Sequence, residues 1–321
     1  SELTIAVSNA GGLGSLPCAM LAPEDLKREL ATVGEQTDRP YNVNFFCHQQ
    51  AQADTQQDLV WRASLAPYYR ELGVSAEALS GVGRKPFDSD IADLLAEFRP
   101  PVVSFHFGLP SPELLEQVRS WGSKVLSSAT TIEEAVWLEA NGADAVIAQG
   151  LEAGGHRGMF LSANIATQVG TLALVPQVVE AIGIPVIAAG GIADARGVAA
   201  VMSLGAAGAQ VGTAYLLCPE AATSEVHRKA LKSDTASKTA LTNVFTGRPA
   251  RSIVNRIISE IGPISADTPA FPRAAAALAP LRKIAESRGS GEFSPLWAGQ
   301  NTSGCKEVAA GVLTRELAAA I

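Results

Sequence analysis

Short apolar runs rich in Val, Ile and Phe alternate along this chain with stretches in which apolar residues recur at helical spacing. Alternation of this kind is typical of βαβ units, in which parallel strands form a sheet and helices cover it. The runs predict strands at Gly12–Leu16, Asn42–Phe46, Val102–Phe107, Lys124–Ser128, Ala145–Ala148, Pro185–Ala188 and Gly208–Gly212.

Capping residues predict helices between these strands. The segment Thr131–Asn141 begins with a Thr and stops at Gly142, and Asp194–Leu204 begins with an Asp and stops at Gly205. We expect the N-terminal segment from Glu2 to Asn9 to be a helix that leads into the first strand.

The regular spacing of the later strands is that of a TIM (β/α)8 barrel, an α/β fold. Seven strands are visible in the pattern, so one of the eight is missing. We expect the missing strand to be the first one, which would precede the N-terminal helix. A doubly wound open sheet needs no eighth strand and is the alternative architecture.

Two connections are longer than ordinary loops. The first runs from His48 to Pro101 and is expected to pack over one side of the barrel. The second runs from Glu220 to about Pro295 and carries helix patterns at Ser224–Lys232 and Ala274–Arg288. We therefore predict a barrel domain from residues 1–219 and 297–321, and a smaller, mostly helical subdomain from residues 220–296 that caps the barrel mouth.

Composition narrows the classes of partner. The 321 residues include 25 Lys and Arg against 32 Asp and Glu, and the resulting net charge of -7 disfavours nucleic acid and membrane surfaces. The uncharged stretch Gly197–Pro219 is long enough to span a bilayer, but its glycines and Gln210 favour a buried helix and strand. The cysteines form no CxxC pair and no secretory signal opens the chain, so a cytoplasmic protein is expected. A homo-oligomer is left open.

Glycines follow two neighbouring predicted strands. Gly190 and Gly191 end one strand, and Gln210, Val211, Gly212 and Thr213 end the next. Glycines allow backbone N–H groups to approach a phosphate closely, and the helix that begins near Asp194 would add its dipole. Because phosphate commonly binds at these two loops of a barrel, we predict a phosphorylated cofactor. The alternative is that the glycines only form tight turns.

Three histidines follow predicted strands: His48, His106 and His156. Imidazole is suited to proton transfer and to hydrogen bonding with an anion near neutral pH. His156 is the strongest candidate, because glycines on both sides would let a tight loop carry its side chain into the barrel mouth. A turn residue held by its own backbone is the alternative for His156, and a hydrogen-bonded wall residue is the alternative for the other two.

Two amide side chains end apolar strands. Asn44 and Gln149 could bind the polar edge of a flavin ring, or they could bond neighbouring backbone. The histidines show no metal-ligand spacing, and no GxSxG serine motif is present, so we predict neither a metal site nor a serine hydrolase.

The sequence resembles the nitronate monooxygenases, FMN-dependent enzymes formerly called 2-nitropropane dioxygenases. The resemblance runs over nearly the whole chain, and the Gly-Gly-His-Arg-Gly element at residues 154–158, with its spacing to the two glycine loops, is its specific part. The matching segments are residues 6–15, 42–46, 104–108, 148–150, 154–158, 188–192, 210–213 and 297–300.

The resemblance implies that His156 is the active-site histidine and that Asn44, Gln149 and Gly154 contact the flavin. It implies that Gly191 and residues 210–213 hold the phosphate end of FMN. The implied reaction is oxidation of alkyl nitronates by O2, propionate 3-nitronate in particular, to a carbonyl compound and nitrogen oxyanions, as a detoxification.

Two assignments stay open beside this one. Arg157, like His48 and His106, is a candidate for binding an anionic substrate, but a salt bridge that braces the loop is equally consistent with the sequence. The chain could also be an FMN-dependent, NAD(P)H-linked reductase of enoyl-acyl-carrier-protein or quinones, or a non-catalytic regulator that binds flavin or phosphate.

Overall fold

A computed structural model describes residues 1–52, 54–74 and 85–319. All seven predicted strands are present, with small changes at their ends. Within the described residues, the strands in chain order are β1 Gly14–Pro17, β2 Tyr41–Phe46, β3 Val102–His106, β4 Lys124–Ala129, β5 Ala145–Gln149, β6 Gly155–His156, β7 Val186–Ala189, β8 Gly208–Gln210, β9 Thr239–Thr242 and β10 Ala250–Ile253.

The same residues form the following α-helices: α1 Glu2–Asn9, α2 Pro23–Gln36, α3 Thr55–Leu72, α4 Ser89–Phe98, α5 Pro112–Ser120, α6 Ile132–Ala140, α7 Thr171–Ala181, α8 Ala195–Ser203, α9 Glu225–Leu231, α10 Arg256–Ile261, α11 Ala274–Ser287 and α12 Ala310–Ala318. The predicted caps of two of them are confirmed. The Thr131 hydroxyl accepts from the N–H of Glu134 at the start of α6, and the Asp194 carboxylate accepts from the N–H of Gly197 at the start of α8.

Strand order distinguishes the two predicted architectures. The large sheet is parallel and runs β1-β2-β3-β4-β5-β7-β8, so each strand pairs with the next barrel strand along the chain. A doubly wound sheet reverses its strand order at a switch point, and this sheet does not. The fold is therefore the α/β barrel type, with seven strands curled into a sheet.

Helices cover the outer side of this sheet and bury its apolar residues. Two hydrophobic clusters lie between sheet and helices, one around Val146 and Val175 and the other around Val43 and Leu95. Helix α12 packs against both α8 and α1, so the last helix bridges the outer layer between the two ends of the sheet.

A second, antiparallel sheet was not predicted. It has the order β6-β10-β9, and it joins the loop after β5 to the second long insertion. The predicted helices of that insertion are confirmed as α9 and α11.

The two insertions share one hydrophobic cluster. Helix α3, from the first insertion, packs against α11, from the second, and their cluster includes Trp61, Leu65 and Leu281 of these helices together with Phe293. Helix α4 instead packs beside the barrel helices α2 and α5. Of the described residues in the first insertion, those of α4 thus lie along the side of the barrel, as expected. The predicted division at residues 219 and 296 stays a prediction.

The uncharged stretch Gly197–Pro219 contains most of α8 and the whole of β8, so it forms a helix and a strand as expected. None of the helices in the described ranges is long and apolar enough to cross a membrane.

A buried carboxylate stabilises the loops above the barrel. Glu134, 1% exposed, accepts from the N–H and hydroxyl of Thr130 and from the N–H groups of Phe160 and Leu161, at 2.6 to 3.2 Å. It thereby ties the end of β4 to the loop that follows His156.

We predict that Glu134→Gln lowers the free energy of unfolding by about 2–4 kcal/mol, because a single amide oxygen cannot accept from both groups of donors. Urea denaturation followed by circular dichroism measures the loss. Glu133→Gln, at the exposed neighbouring position, is the control and should change stability by less than about 1 kcal/mol. Equal stability of the two variants would contradict the assignment.

Candidate active site

A cavity of about 260 Å³ opens at the carboxyl ends of the barrel strands. Because all seven strands run in one direction, residues near their carboxyl ends converge here. The lining is largely polar and includes Ser15, Asn44, Ser104, Ser128, Gln149 and Gln210, together with Gly154, His106 and His156.

The three histidines singled out from the sequence are gathered by one aromatic cluster. The Phe46 ring lies 5.8 Å from that of His106 and 6.1 Å from that of His156. The Phe271 ring lies 4.8 Å from that of His48 and 5.3 Å from that of His156. Phe271 belongs to the second insertion, so that insertion supplies part of the wall around His156.

His156 is buried, with 8% of its surface exposed, and lies in β6 opposite Ala250 of β10. Its Nε2 is 2.9 Å from the Thr246 Oγ1. Its backbone carbonyl accepts from Gln149 Nε2 at 2.9 Å and from His106 Nε2 at 3.1 Å. Both the backbone and the ring of His156 are therefore fixed by neighbours.

His106 acts as a support for His156. A carbonyl oxygen can only accept, so Nε2 of His106 carries the proton that it donates to His156. The other ring nitrogen then accepts from the Ser128 hydroxyl, 3.0 Å away. Burial lowers the pKa of His106 to about 4, so the ring is neutral near pH 7. His106 is therefore a hydrogen-bonded residue in the wall of the cavity, which was the alternative considered from the sequence.

Phe107 directly follows β3 and has a left-handed backbone, with φ of 72°. That conformation is strained for a bulky residue and is typical of functional sites. The guanidinium carbon of Arg248 lies 3.9 Å above the centre of the Phe107 ring. Burial lowers the pKa of Arg248 to about 10, which leaves it charged near pH 7. Neither Phe107 nor Arg248 was predicted as a site residue. Nothing in the sequence around Arg248 indicates a site.

The two strand-end amides line the cavity and also bond protein atoms. Gln149 donates from Nε2 to the carbonyl of His156, and its Oε1 accepts from the N–H of Gly158 at 2.8 Å. Asn44 donates to the hydroxyl of Ser104 at 2.8 Å. Gln149 thus holds the histidine loop against β5 through bonds to neighbouring backbone, which was the alternative to flavin binding considered from the sequence.

Arg157 lies beneath the histidine loop. It is 0% exposed and donates to the carbonyls of Gly150 and Gln149, each at 2.7 Å, and to Gln168 Oε1 at 2.8 Å. Burial lowers its pKa to about 10. The geometry does not support contact between Arg157 and a substrate. Arg157 braces the loop through carbonyl and amide oxygens, without the salt bridge considered from the sequence.

The glycine-bearing loops after β7 and β8 are neighbours, because Ala189 pairs with Gln210. Gly190 and Gly191 have positive φ, 123° and 70°. Among the described residues, the N–H groups of Gly191 and Gly212 donate to no backbone carbonyl, and nothing lies within 4 Å of the position that a Gly212 Cβ would take. These groups form an open rim with free donors, whereas the Val211 side chain packs into the core.

The expected contribution of the α8 dipole is not supported. The Asp194 carboxylate bonds the N–H of Gly197 and therefore occupies the positive end of that helix. The short 3-10 helix Thr213–Leu217 after β8 has no side-chain cap at its start.

One C-terminal segment, residues 297–305, ties the three loops together. The backbone N–H groups of Gly299 and Gln300 donate at 2.9 Å to Thr213 Oγ1 and to the Glu152 carbonyl, respectively. Asn301 Nδ2 donates to the Gly191 carbonyl at 3.0 Å, and the Cys305 thiol bonds the Thr213 carbonyl. The sequence motif at residues 297–300 therefore has a structural role at the site.

No group of three or more His, Cys, Asp or Glu side chains suited to a metal ion occurs in the part of the chain that the structure describes.

Comparison with known proteins gives a consistent result. The nitronate monooxygenase family model matches residues 1–319. A nitronate monooxygenase of Pseudomonas aeruginosa is 42% identical over 318 residues, which cover 98% of this chain and 91% of that protein. Nitroalkane oxidase from Streptomyces ansochromogenes superposes with a TM-score of 0.90 at 40% identity, covering 99% of this chain and 90% of that chain.

A more distant structure shares the fold. FabK from Thermotoga maritima has a TM-score of 0.70 and 26% identity, covering 99% of this chain and 88% of that chain. The match to the family model and the high identity over nearly all of the chain agree with the motifs around His156. This chain belongs to the nitronate monooxygenase family of oxidoreductases.

Proposed function

We propose that this protein binds FMN and uses O2 to oxidise alkyl nitronates, propionate 3-nitronate in particular, to a carbonyl compound and nitrite or nitrate, as a detoxification. One observation carries the proposal beyond family membership. His156 lines the same cavity as Asn44, Gln149, Gly154 and Gln210, the residues assigned to the cofactor.

The residues present fit FMN. Amide and hydroxyl side chains along the cavity can bond the polar edges of an isoalloxazine ring. The rim at Gly191 and Gly212 offers backbone N–H donors to a phosphate. Nothing lies within 4 Å of a Cβ position at Gly212, and the nearest atom to that position at Gly191 is the Glu152 Cβ at 3.4 Å. The chemistry that FMN supplies when bound is acceptance of electrons from the substrate and their transfer to O2.

Oxidation of a nitronate does not require a strong base in the site to remove a proton from carbon. A nitronate is already deprotonated at carbon, so the protein needs to bind and orient an anion. His156 would orient it through a hydrogen bond that is charge-assisted, or would take a proton from carbon when the substrate is a neutral nitroalkane. Arg248, charged and stacked on Phe107, adds a positive field beside the aromatic cluster. The aromatic side chains around His156 exclude water and strengthen both interactions.

We expect the purified protein to bind FMN and to consume O2 with propionate 3-nitronate. Oxygen-electrode measurements with a panel of nitronates and matched nitroalkanes test this, and anaerobic mixing with NADH or NADPH tests the reductase alternative. Rapid bleaching of the flavin by either nucleotide, without turnover of any nitronate, would favour the reductase. A protein that binds FMN but turns over neither class would favour the regulator.

We expect His156→Asn to bind FMN as the wild type does and to lose about 100-fold or more in kcat/KM for nitronates, because Asn cannot exchange a proton or become cationic. Flavin fluorescence titration and O2 uptake separate the two effects. Asn164→Ala, on the exposed loop beyond the site, is a control that should leave both unchanged. Unaltered turnover in His156→Asn would remove the assignment.

Gly154 is expected to be essential for FMN binding. A Cβ at this position would lie 2.6 Å from backbone atoms of Ala298 and Gly299, so the 297–305 segment would have to move. Overpacking of this kind costs about 1–3 kcal/mol; if the FMN-bound form bears this cost, the FMN dissociation constant of Gly154→Ala rises by about 5- to 150-fold. Gly34→Ala, where a Cβ meets nothing within 4 Å, is the matched control. Identical FMN affinity in the two variants would count against this placement.

A further inference from the structure

The Thr246 hydroxyl is the polar group that bonds the ring of His156 from the second insertion. Its Oγ1 lies 2.9 Å from Nε2 of the histidine, although the two residues are 90 positions apart in the sequence. Thr246 is 3% exposed, so water does not compete freely for this hydrogen bond.

The turn that carries Thr246 is held rigidly. The carbonyl of Asn243 accepts from the N–H groups of Thr246 and Gly247, and the Asn243 side chain donates to and accepts from the backbone of Ser265, at 2.9 Å in both directions. Gly247 has a φ of 90°, and a Cβ there would lie 2.1 Å from the Pro269 carbonyl oxygen. The backbone under Thr246 is therefore fixed between two other segments of the insertion.

The barrel side of the contact is fixed as well. Ala250 of β10 pairs with His156, and the N–H of Arg157 donates to the Pro249 carbonyl at 2.9 Å. These bonds set the position of the turn above the histidine loop. The approach of the hydroxyl to Nε2 thus follows from backbone geometry on both sides, which is the arrangement expected of a preorganised site.

The hydroxyl can serve the ring in either protonation state. The carbonyl of Arg248 lies 3.5 Å from Oγ1 and can only accept a hydrogen bond. When Nε2 lacks a proton, the hydroxyl can donate to it. When Nε2 carries a proton, the oxygen can accept from it and the hydroxyl hydrogen can turn toward the Arg248 carbonyl.

We propose that Thr246 is the positioning residue for His156, holding the ring in its working orientation and stabilising its cationic form through the accepting hydroxyl oxygen. The inference rests on the proposed function, in which His156 orients or deprotonates the substrate.

Other charged and titratable side chains near His156 also affect its pKa. His48 follows β2 and His106 ends β3, and both share its aromatic cluster; Arg248 lies on the same loop as Thr246, and Arg157 follows in the chain. The two arginines are charged near pH 7 and disfavour a second positive charge. Loss of an acceptor for the imidazolium is therefore expected to lower the pKa of His156 relative to that in the wild type.

The test compares Thr246→Val, which keeps the shape and removes the hydroxyl, with Thr246→Ser, which keeps the hydroxyl. Thr242→Val is the control, because Thr242 is a buried threonine of the same hairpin whose hydroxyl accepts from the N–H of Val244. All variants are made in the full chain, and FMN affinity is measured for each.

The first readout is independent of turnover. Nitrogen-15 NMR of the histidine rings, with His156 assigned by the loss of its signals in His156→Asn, reports its tautomer and its pKa. We expect Thr246→Val to lower the pKa of His156, and Thr246→Ser and Thr242→Val to leave it near the wild-type value.

The second readout is the pH profile of nitronate oxidation. We expect Thr246→Val to lose about 10- to 100-fold in kcat, with unchanged FMN affinity and with the His156 limb of the profile moved to lower pH. Thr246→Ser should restore most of the activity.

The outcomes separate the two proposals. An unchanged His156 pKa and pH profile in Thr246→Val, or equal losses in the Val and Ser variants, would overturn the positioning role. A wild-type protein that oxidises no nitronate, while the NMR shifts appear as expected, would overturn the proposed function and leave the positioning of His156 standing.

Discussion

The backbone of His156 is the point at which the barrel and the second insertion are joined. Its carbonyl accepts from Gln149 and His106, which end β5 and β3, while its strand pairs with β10 of the insertion. A buried carbonyl with two donors is costly to break, because each donor would then lose its partner away from water. These bonds consequently set the position of the His156 backbone, and the orientation of its ring is set by side-chain contacts such as the one with Thr246.

Three arginines lie near the site: Arg157, Arg248 and Arg251. Arg157 and Arg251 are almost fully buried, and their guanidinium groups bond carbonyls of the loop after β5. Arg248 lies over Phe107, and burial lowers the pKa of all three arginines. The carboxylates of Glu134 and Glu152 lie near enough to these arginines to offset part of their charge. Arg248 is the arginine that stacks on the aromatic cluster, where its charge favours an anionic ligand over a neutral one.

The barrel could be predicted from the sequence because its strands are continuous apolar runs, the pattern of a parallel sheet covered by helices. The small antiparallel sheet β6-β10-β9 could not be predicted. Strand β10 is buried on both faces and β6 has only two residues, so neither shows an alternation of apolar and polar positions. His156 was singled out through the glycines around it, whereas Thr246 has no local signature and becomes visible only through a contact across 90 residues. The role of Arg157 was left open between substrate binding and bracing of the loop, because a sequence position does not tell to which side of a loop a long side chain points. Asp194 was correctly identified as a cap, but its carboxylate fills the helix end that had been assigned to a phosphate.

The 297–305 segment gives the site a dependence on the whole chain. The loops after β5, β7 and β8 are separated by 20 to 60 residues, and each bonds this segment directly through Glu152, Gly191 or Thr213. Loops that carry free N–H donors and positive φ angles are intrinsically mobile, because few local bonds hold them. The 297–305 segment restricts that mobility because it bonds all three loops. The entropic cost of such a connection grows only slowly with the number of residues that it encloses. The rim proposed to bind phosphate therefore depends on residues 297–305, which lie far along the chain from the loops that they bond. Helix α12, which follows the segment and packs between α8 and α1, anchors it to the outer layer of the barrel.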